Sequence, residues 1–270
     1  MGLAVLRDAL PHLYNWRVAA PFERRLPKGW GDLFLQLGIW FGFFGIYQIA
    51  RGIADRSPSE ALGNGQAVID IQRALHSLIE PDLQRVAIHT GGFFLDALNW
   101  TYWLSQFSVV GIALLWIYLF RNEAFTRVRN WLLAANVIGL LGYVALPTAP
   151  PRMFPEYGFV DTLAQSASLN HGSALIEIAS NPYAAMPSLH AADALIIGFA
   201  LASLVDSRWL KMLWTLWPSW VWFAVMATGN HFWLDIAVGI GVALLAGSML
   251  ALVESERTTL SPAYLVTRRG

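Results

Sequence analysis

The polar residues of this chain are spaced so that six long apolar stretches lie between them. These are residues 33–50, 97–120, 130–151, 186–205, about 209–227 with Pro218 inside, and 231–253. A helix needs roughly 20 apolar residues to cross about 30 Å of hydrocarbon. The pattern therefore predicts an all-α membrane protein built as a six-transmembrane-helix bundle. The far end of the third stretch breaks into Pro147-Thr148-Ala149-Pro150-Pro151-Arg152. Two connections on one side are long. Residues 51–96 start with turn formers and continue with Val68, Ile71, Leu75, Leu78 and Ile79 at helical spacing, which predicts an amphipathic, interfacial helix. Residues 152–185 contain Pro155, Gly158, Asp161, Asn170, Gly172 and Pro182 and read as a loop with a short helix at 173–179. No repeat or linker divides the chain. Residues 1–270 read as one polytopic membrane domain, with 1–32 and 254–270 as its cytoplasmic N-terminal segment and tail.

Composition agrees with the pattern. The chain is 56% hydrophobic and 13% charged, where soluble domains carry about 25% charged residues. Its 18 basic residues match its 18 acidic ones, which argues against a nucleic-acid partner. It has no cysteine, so disulfides, thiolate catalysis and Cys-ligated metals are excluded. The first apolar run follows Arg24, Arg25 and Lys28 and has no cleavage pattern after it, so it reads as a retained span. Arg7, Arg17, Arg24, Arg25, Lys28, Arg121, Arg127, Arg129, Arg208, Lys211, Arg257, Arg268 and Arg269 fall on one side of the six spans. Only Arg51, Arg56, Arg73, Arg85 and Arg152 fall on the other. By the positive-inside tendency both termini are cytoplasmic, in a multi-pass protein of the cell membrane. Arg152, His190 and His231 then meet at the non-cytoplasmic face.

Those three residues are the candidates for chemistry. His231 and Asp235 stand four apart at the start of the sixth span. A carboxylate on one ring nitrogen fixes the tautomer and frees the other nitrogen as nucleophile or base. Asn230 fits as the N-cap of that helix. His190 follows Pro187, Ser188 and Leu189 at the start of the fourth span. Proline suits a first helical turn, and the free N–H groups there, with the Ser188 hydroxyl, could cradle a phosphate. Arg152 could bind that phosphate with two parallel hydrogen bonds. Each residue also has a plain alternative: a self-satisfied helix-end pair, an interfacial histidine, an arginine snorkelling to head groups. Asp193, one turn after His190, could orient it or bond a neighbouring helix. Asp161, Tyr183, Asn99 and Tyr102 could line a pocket or serve structure. His12, His76, His89 and His171 lack convincing spacing.

The segment Ala185-Met186-Pro187-Ser188-Leu189-His190 resembles the Pro-Ser-Gly-His motif of the type 2 phosphatidic acid phosphatase (PAP2) superfamily. His231-Phe232-Trp233-Leu234-Asp235 resembles its His-x-x-x-Asp motif. The resemblance covers about residues 95–253, the expected catalytic core. Its spelling, with Pro150-Pro151-Arg152, Asn181-Pro182-Tyr183 and Thr228-Gly229-Asn230-His231, is most similar to the inositol-phosphotransferase branch that includes inositol phosphorylceramide synthases. It implies that His231 attacks phosphorus and becomes a phosphohistidine, that Asp235 orients it, and that His190 protonates the leaving alcohol. Arg152, Ser188 and the backbone at Leu189 would hold the phosphoryl oxygens, and Asp193, Tyr183, Asp161 and Asn230 would border the substrate. It implies no metal and no cofactor. The partners would be a lipid-linked phosphate donor, an alcohol or water acceptor and the surrounding membrane lipids.

The departures are equally specific. The family's first motif has a lysine seven residues before its Arg-Pro, where this chain has Ala145, and Met153 follows Arg152. The third motif opens Ser-Arg, where this chain has Ala224 and Val225. Leu189 replaces the motif glycine. With two cationic phosphate ligands missing, a singly charged phosphodiester is better matched than a phosphomonoester. That leans toward a phosphotransferase. A polyprenyl or phosphatidate phosphatase is the alternative, and a transporter or degenerate scaffold is the non-enzymatic one.

Overall fold

A computed structural model describes residues 26–54, 58–165 and 183–259. The expected helix at 173–179, Asn181, Pro182, His12, His171 and the terminal basic residues lie outside these. Ten α-helices are described: α1 (Gly29–Ala54), α2 (Pro58–Ala74), α3 (Glu80–Thr90), α4 (Gly92–Leu104), α5 (Val110–Phe120), α6 (Asn122–Ala145), α7 (Thr162–Gln165), α8 (Leu189–Leu204), α9 (Arg208–Ala227) and α10 (Trp233–Thr259). A π-helical turn, Ser105–Val109, joins α4 to α5. No strand occurs among the described residues beyond one isolated parallel bridge, Thr148 to Ala184.

Among the described residues, three stretches are long and apolar enough to cross a membrane: Gly92–Phe120, Asn122–Ala145 and Trp233–Ser255. Helix α8 is apolar but only 16 residues long. Helix α9 carries Arg208 and Lys211 and is dominated by Trp209, Trp214, Trp217, Trp220 and Trp222, and it is not among the three. Large apolar side chains face outward along the bundle, among them Phe41, Ile49, Ile112, Leu141, Phe199 and Leu252. This is the surface of a membrane protein, where lipid rather than water meets the outer faces.

Helix α8 forms the core. Apart from His190, Asp193 and Ser203 it is apolar, and Leu189, Ala192, Ile196, Ile197 and Leu201 are buried against α5, α6 and α10. Small residues allow the helices to approach closely, as is usual where packing rather than water exclusion drives association. A Cβ on Gly198 would lie 2.7 Å from the Trp214 carbonyl, and one on Gly142 would lie 2.7 Å from the Pro187 ring.

The expected boundaries shift in informative ways. Helix α6 starts at Asn122 and stops at Ala145, ahead of the proline run expected to finish the span. The amphipathic stretch is two helices, and α2 packs through Ala61, Gly65, Val68, Ile69 and Gln72. Ile71, Leu75 and Ile79, from the apolar stripe read as interfacial, are exposed. The buried stripe therefore starts about two turns earlier, at Ala61, and it includes a polar residue, Gln72, that an apolar count passes over.

Candidate active site

Backbone hydrogen bonds tie three distant segments into one wall. Thr148 N–H donates to the Tyr183 carbonyl (2.9 Å) and Ala185 N–H to the Thr148 carbonyl (3.1 Å). Arg152 N–H donates to the Gly229 carbonyl at 2.8 Å. The chain thus brings Arg152 next to the approach to His190 and the turn before His231. Gly229 turns at φ +71°, a left-handed conformation that suits glycine. A Cβ there would also meet Gln84 Nε2 at 2.8 Å and the Val160 carbonyl at 3.0 Å.

His231 lies just ahead of α10, not on it, and is buried. Its Nδ1 is 2.9 Å from the Ala185 carbonyl. A carbonyl can only accept, so Nδ1 carries the proton and Nε2 presents a lone pair. Nε2 lies 3.3 Å from Nδ1 of His190. The tautomer was expected to be set by Asp235, but its Oδ2 is farther from Nδ1, at 3.5 Å, and accepts the Phe232 N–H at 2.8 Å. Asp235 is therefore the residue that closes the first turn of α10, while its carboxyl group still faces the imidazole. Asn230 is not the N-cap: its amide donates to Thr228 Oγ1 (2.8 Å), and its carbonyl oxygen accepts from Arg152 (2.5 Å).

His190 is the second residue of α8. Its ring stacks on Tyr102 with centroids 4.5 Å apart and planes 23° apart. Pro187 precedes the helix instead of opening its first turn. Ser188 is the N-cap, and its buried hydroxyl accepts from Ala191 N–H at 3.3 Å. That hydroxyl is committed to its own helix. Leu189 packs into the core beside Gly139. Neither side chain lines the cavity, because a cap and a core residue point away from it.

The cavity is bordered by Tyr47, Tyr102, Gln106, Tyr143, Arg152 and Asn230 around the two histidines. Of these, Tyr47, Gln106 and Tyr143 were not singled out in the sequence. The only signal for them was polar atoms inside apolar spans. Gln106 sits on the π-helical turn, a feature that often marks functional positions. Among the described residues Arg152 is the only Lys or Arg on this wall. Asp161 stands 3.6 Å from Arg152 Nε and caps α7 through Ala164 N–H (2.9 Å). Tyr183 packs in a satellite cluster with Phe154 and Phe232. Asp193 does not reach His190; it accepts from Asn136 Nδ2 at 2.7 Å and borders a separate cavity that shares Tyr47 and Gln106 with the first. Asn99 pairs with Thr162 Oγ1 at 2.9 Å, behind the site.

Residues 66–249 match the PAP2 superfamily. The chain belongs to that superfamily. Among curated relatives of this PAP2 protein, a phosphoinositol dihydroceramide synthase of Bacteroides thetaiotaomicron is 30% identical over 141 residues, 47% of this chain and 46% of the relative. An inositol phosphorylceramide synthase of Candida albicans is 25% identical over 185 residues, 61% of this chain and 36% of the relative. The chain thus spans less than half the length of either. A solved structure, LpxE of Aquifex aeolicus, aligns with 18% identity and a TM-score of 0.44, covering 62% of this chain and 92% of that one. Where the superfamily's third motif carries Ser-Arg, this PAP2 chain has Ala224 and Val225, both fully buried. The Val225 carbonyl accepts the Asn230 and His231 N–H groups at 3.0 and 3.1 Å. These positions shape the histidine turn through backbone alone.

Proposed function

We propose that this protein is a membrane phosphotransferase that moves a phosphodiester head group through a phosphohistidine, at the non-cytoplasmic face of a six-helix bundle. In this bundle α1, α8 and α9 join the three long apolar stretches as spans, and residues 1–270 act as one domain. The observation that carries the reading is the 3.3 Å contact between His231 Nε2, held as a lone pair, and His190 Nδ1 in a cavity that Arg152 borders. The phosphoryl group enters between the rings. His231 Nε2 forms the bond to phosphorus, the bond from phosphorus to the lipid oxygen breaks, and His190 gives that oxygen a proton. His190 then takes a proton from the acceptor hydroxyl, which attacks phosphorus and breaks the P–N bond. Asp235 faces the positive charge that develops on His231, and Arg152, aimed by Asp161 and Asn230, matches the single charge of a phosphodiester.

The three tyrosines, Gln106 and Asn230 are neutral hydrogen-bonding groups suited to a polyhydroxylated head group. The names of the two curated relatives point to phosphoinositol as that group and to a sphingoid-type alcohol as acceptor. The test is incubation of purified protein in lipid bilayers with phosphatidylinositol or polyprenyl phosphates, with and without ceramide-class acceptors. A new phosphodiester formed only with acceptor supports the transferase. Release of inorganic phosphate would replace it with the phosphatase reading, and no reaction with any donor would reject both. Arg152→Lys keeps a charge but loses the planar fork, and kcat/KM should fall about 10²-fold, the scale of losing one transition-state donor. An unchanged kcat/KM would remove Arg152 from the site.

A further inference from the structure

Helix α3 carries two polar side chains that are buried almost completely and stand one turn apart. Glu80 is 0% and Gln84 1% exposed. Glu80 Oε1 accepts the Trp233 N–H at 2.6 Å and the Gln72 amide at 2.7 Å. The Trp233 indole donates to the Ser77 carbonyl at 2.9 Å, so the start of α3 is fastened twice to the residue that opens α10. Gln84 reads the other arm of the site. Its amide donates to the Val160 carbonyl and its oxygen accepts the Val160 N–H, both at 2.8 Å, next to Asp161, which faces Arg152. Between these two anchors lies Gly229, whose missing side chain lets Gln84 sit directly on the turn.

We propose that Glu80 and Gln84 are positioning residues for the phosphoryl-transfer site: Glu80 holds the His231 arm as a hydrogen-bond acceptor, and Gln84 holds the Arg152 arm. The inference rests on the functional reading above. Two carboxyl groups take adjacent N–H groups at the start of α10, Glu80 from Trp233 and Asp235 from Phe232. Burial, with the nearby Asp235 charge adding to it, pushes the Glu80 carboxyl above its usual range. Its second oxygen is buried without a hydrogen-bond partner among the described residues.

Glu80→Gln supplies the same acceptor without the charge, whereas Glu80→Ala removes the acceptor. The proteins are purified in lipid and compared by turnover and by hydrogen exchange of amides 228–233. Glu80→Ala should lose kcat by about 10²-fold with little change in KM, the scale of a misplacement of about 1 Å, and its 228–233 amides should exchange faster. Glu80→Gln should keep most of both. Gln84→Ala should lower kcat and free the amides around 160 while leaving Trp233 protected, and it stands as the test if Glu80→Ala does not fold. Wild-type kcat and protection in Glu80→Ala or Gln84→Ala would overturn the brace. Loss in Glu80→Gln equal to that in Glu80→Ala would overturn the acceptor role. If the wild type itself fails to turn over, the functional reading falls, and the exchange comparison alone still decides the brace.

Discussion

Replacing His231 with alanine is expected to abolish head-group transfer, a loss on the order of 10⁴–10⁶-fold in kcat, which is the scale of removing a nucleophile from an assembled site. The imidazole is locked on one side by the Ala185 carbonyl and meets His190 on the other. Alanine removes the atom that bonds to phosphorus but leaves the backbone turn intact, since the His231 N–H is held by the Val225 carbonyl. His190→Ala should behave differently. It keeps the nucleophile and loses the proton donor, so a donor with a good leaving group should still form an acid-labile phosphoenzyme slowly. Single-turnover trapping of labelled phosphate separates the two variants. Full turnover by purified His231→Ala protein would sink the phosphohistidine mechanism.

The two variants also show which parts of the site could be read in the sequence. A histidine at the edge of an apolar span stands out because burial there is costly. His190, His231 and Arg152 could be drawn toward one place on that ground, and the structure brings them around one cavity. The partner of His231 could not be read, because it is a backbone carbonyl 46 residues away and any residue type could supply it. The i, i+4 spacing pointed to Asp235, but that spacing places side chains on one face only if both residues are helical, and α10 opens two residues after His231. The π-helical turn inserts an extra residue into the helical ladder, which shifts Gln106 relative to a 3.6-residue pattern. Glu80 and Gln84 were hidden for a related reason. In an amphipathic stretch polar residues are assigned to solvent, yet these two are buried because they bond backbone amides from far along the chain. The helices themselves were legible to within a few residues at most ends. Charge and proline signals mark where a span must stop, but not how far a helix runs on past it.

The second large effect is structural and rests on Gly239. A Cβ there would lie 2.2 Å from the Ser188 carbonyl oxygen and 3.1 Å from its carbonyl carbon, well inside contact distance. The clash is with backbone, so no rotamer change relieves it. Nor can Ser188 move. Its N–H is bonded to the Asp235 carbonyl at 2.9 Å, Pro187 fits against Gly142, and Leu189 fits against Gly139. The cap of α8 is pinned between α6 and α10, and the same few residues carry His190 on one side and Asp235 on the other. Gly239→Ala must therefore force α8 and α10 apart. That should cost at least the roughly 1–3 kcal/mol typical of overpacking, and it should also separate His190 from His231. Gly241, two residues on, is the matched control, since a Cβ there meets nothing within 4 Å and alanine favours a helix over glycine by about 1 kcal/mol. Thermal unfolding followed by tryptophan fluorescence should show Gly239→Ala melting well below wild type, or failing to fold, and Gly241→Ala melting at or above it. Equal stability of the two variants would mean that α8 and α10 do not meet at Ser188 as described, and the contact between the two histidines would lose its support.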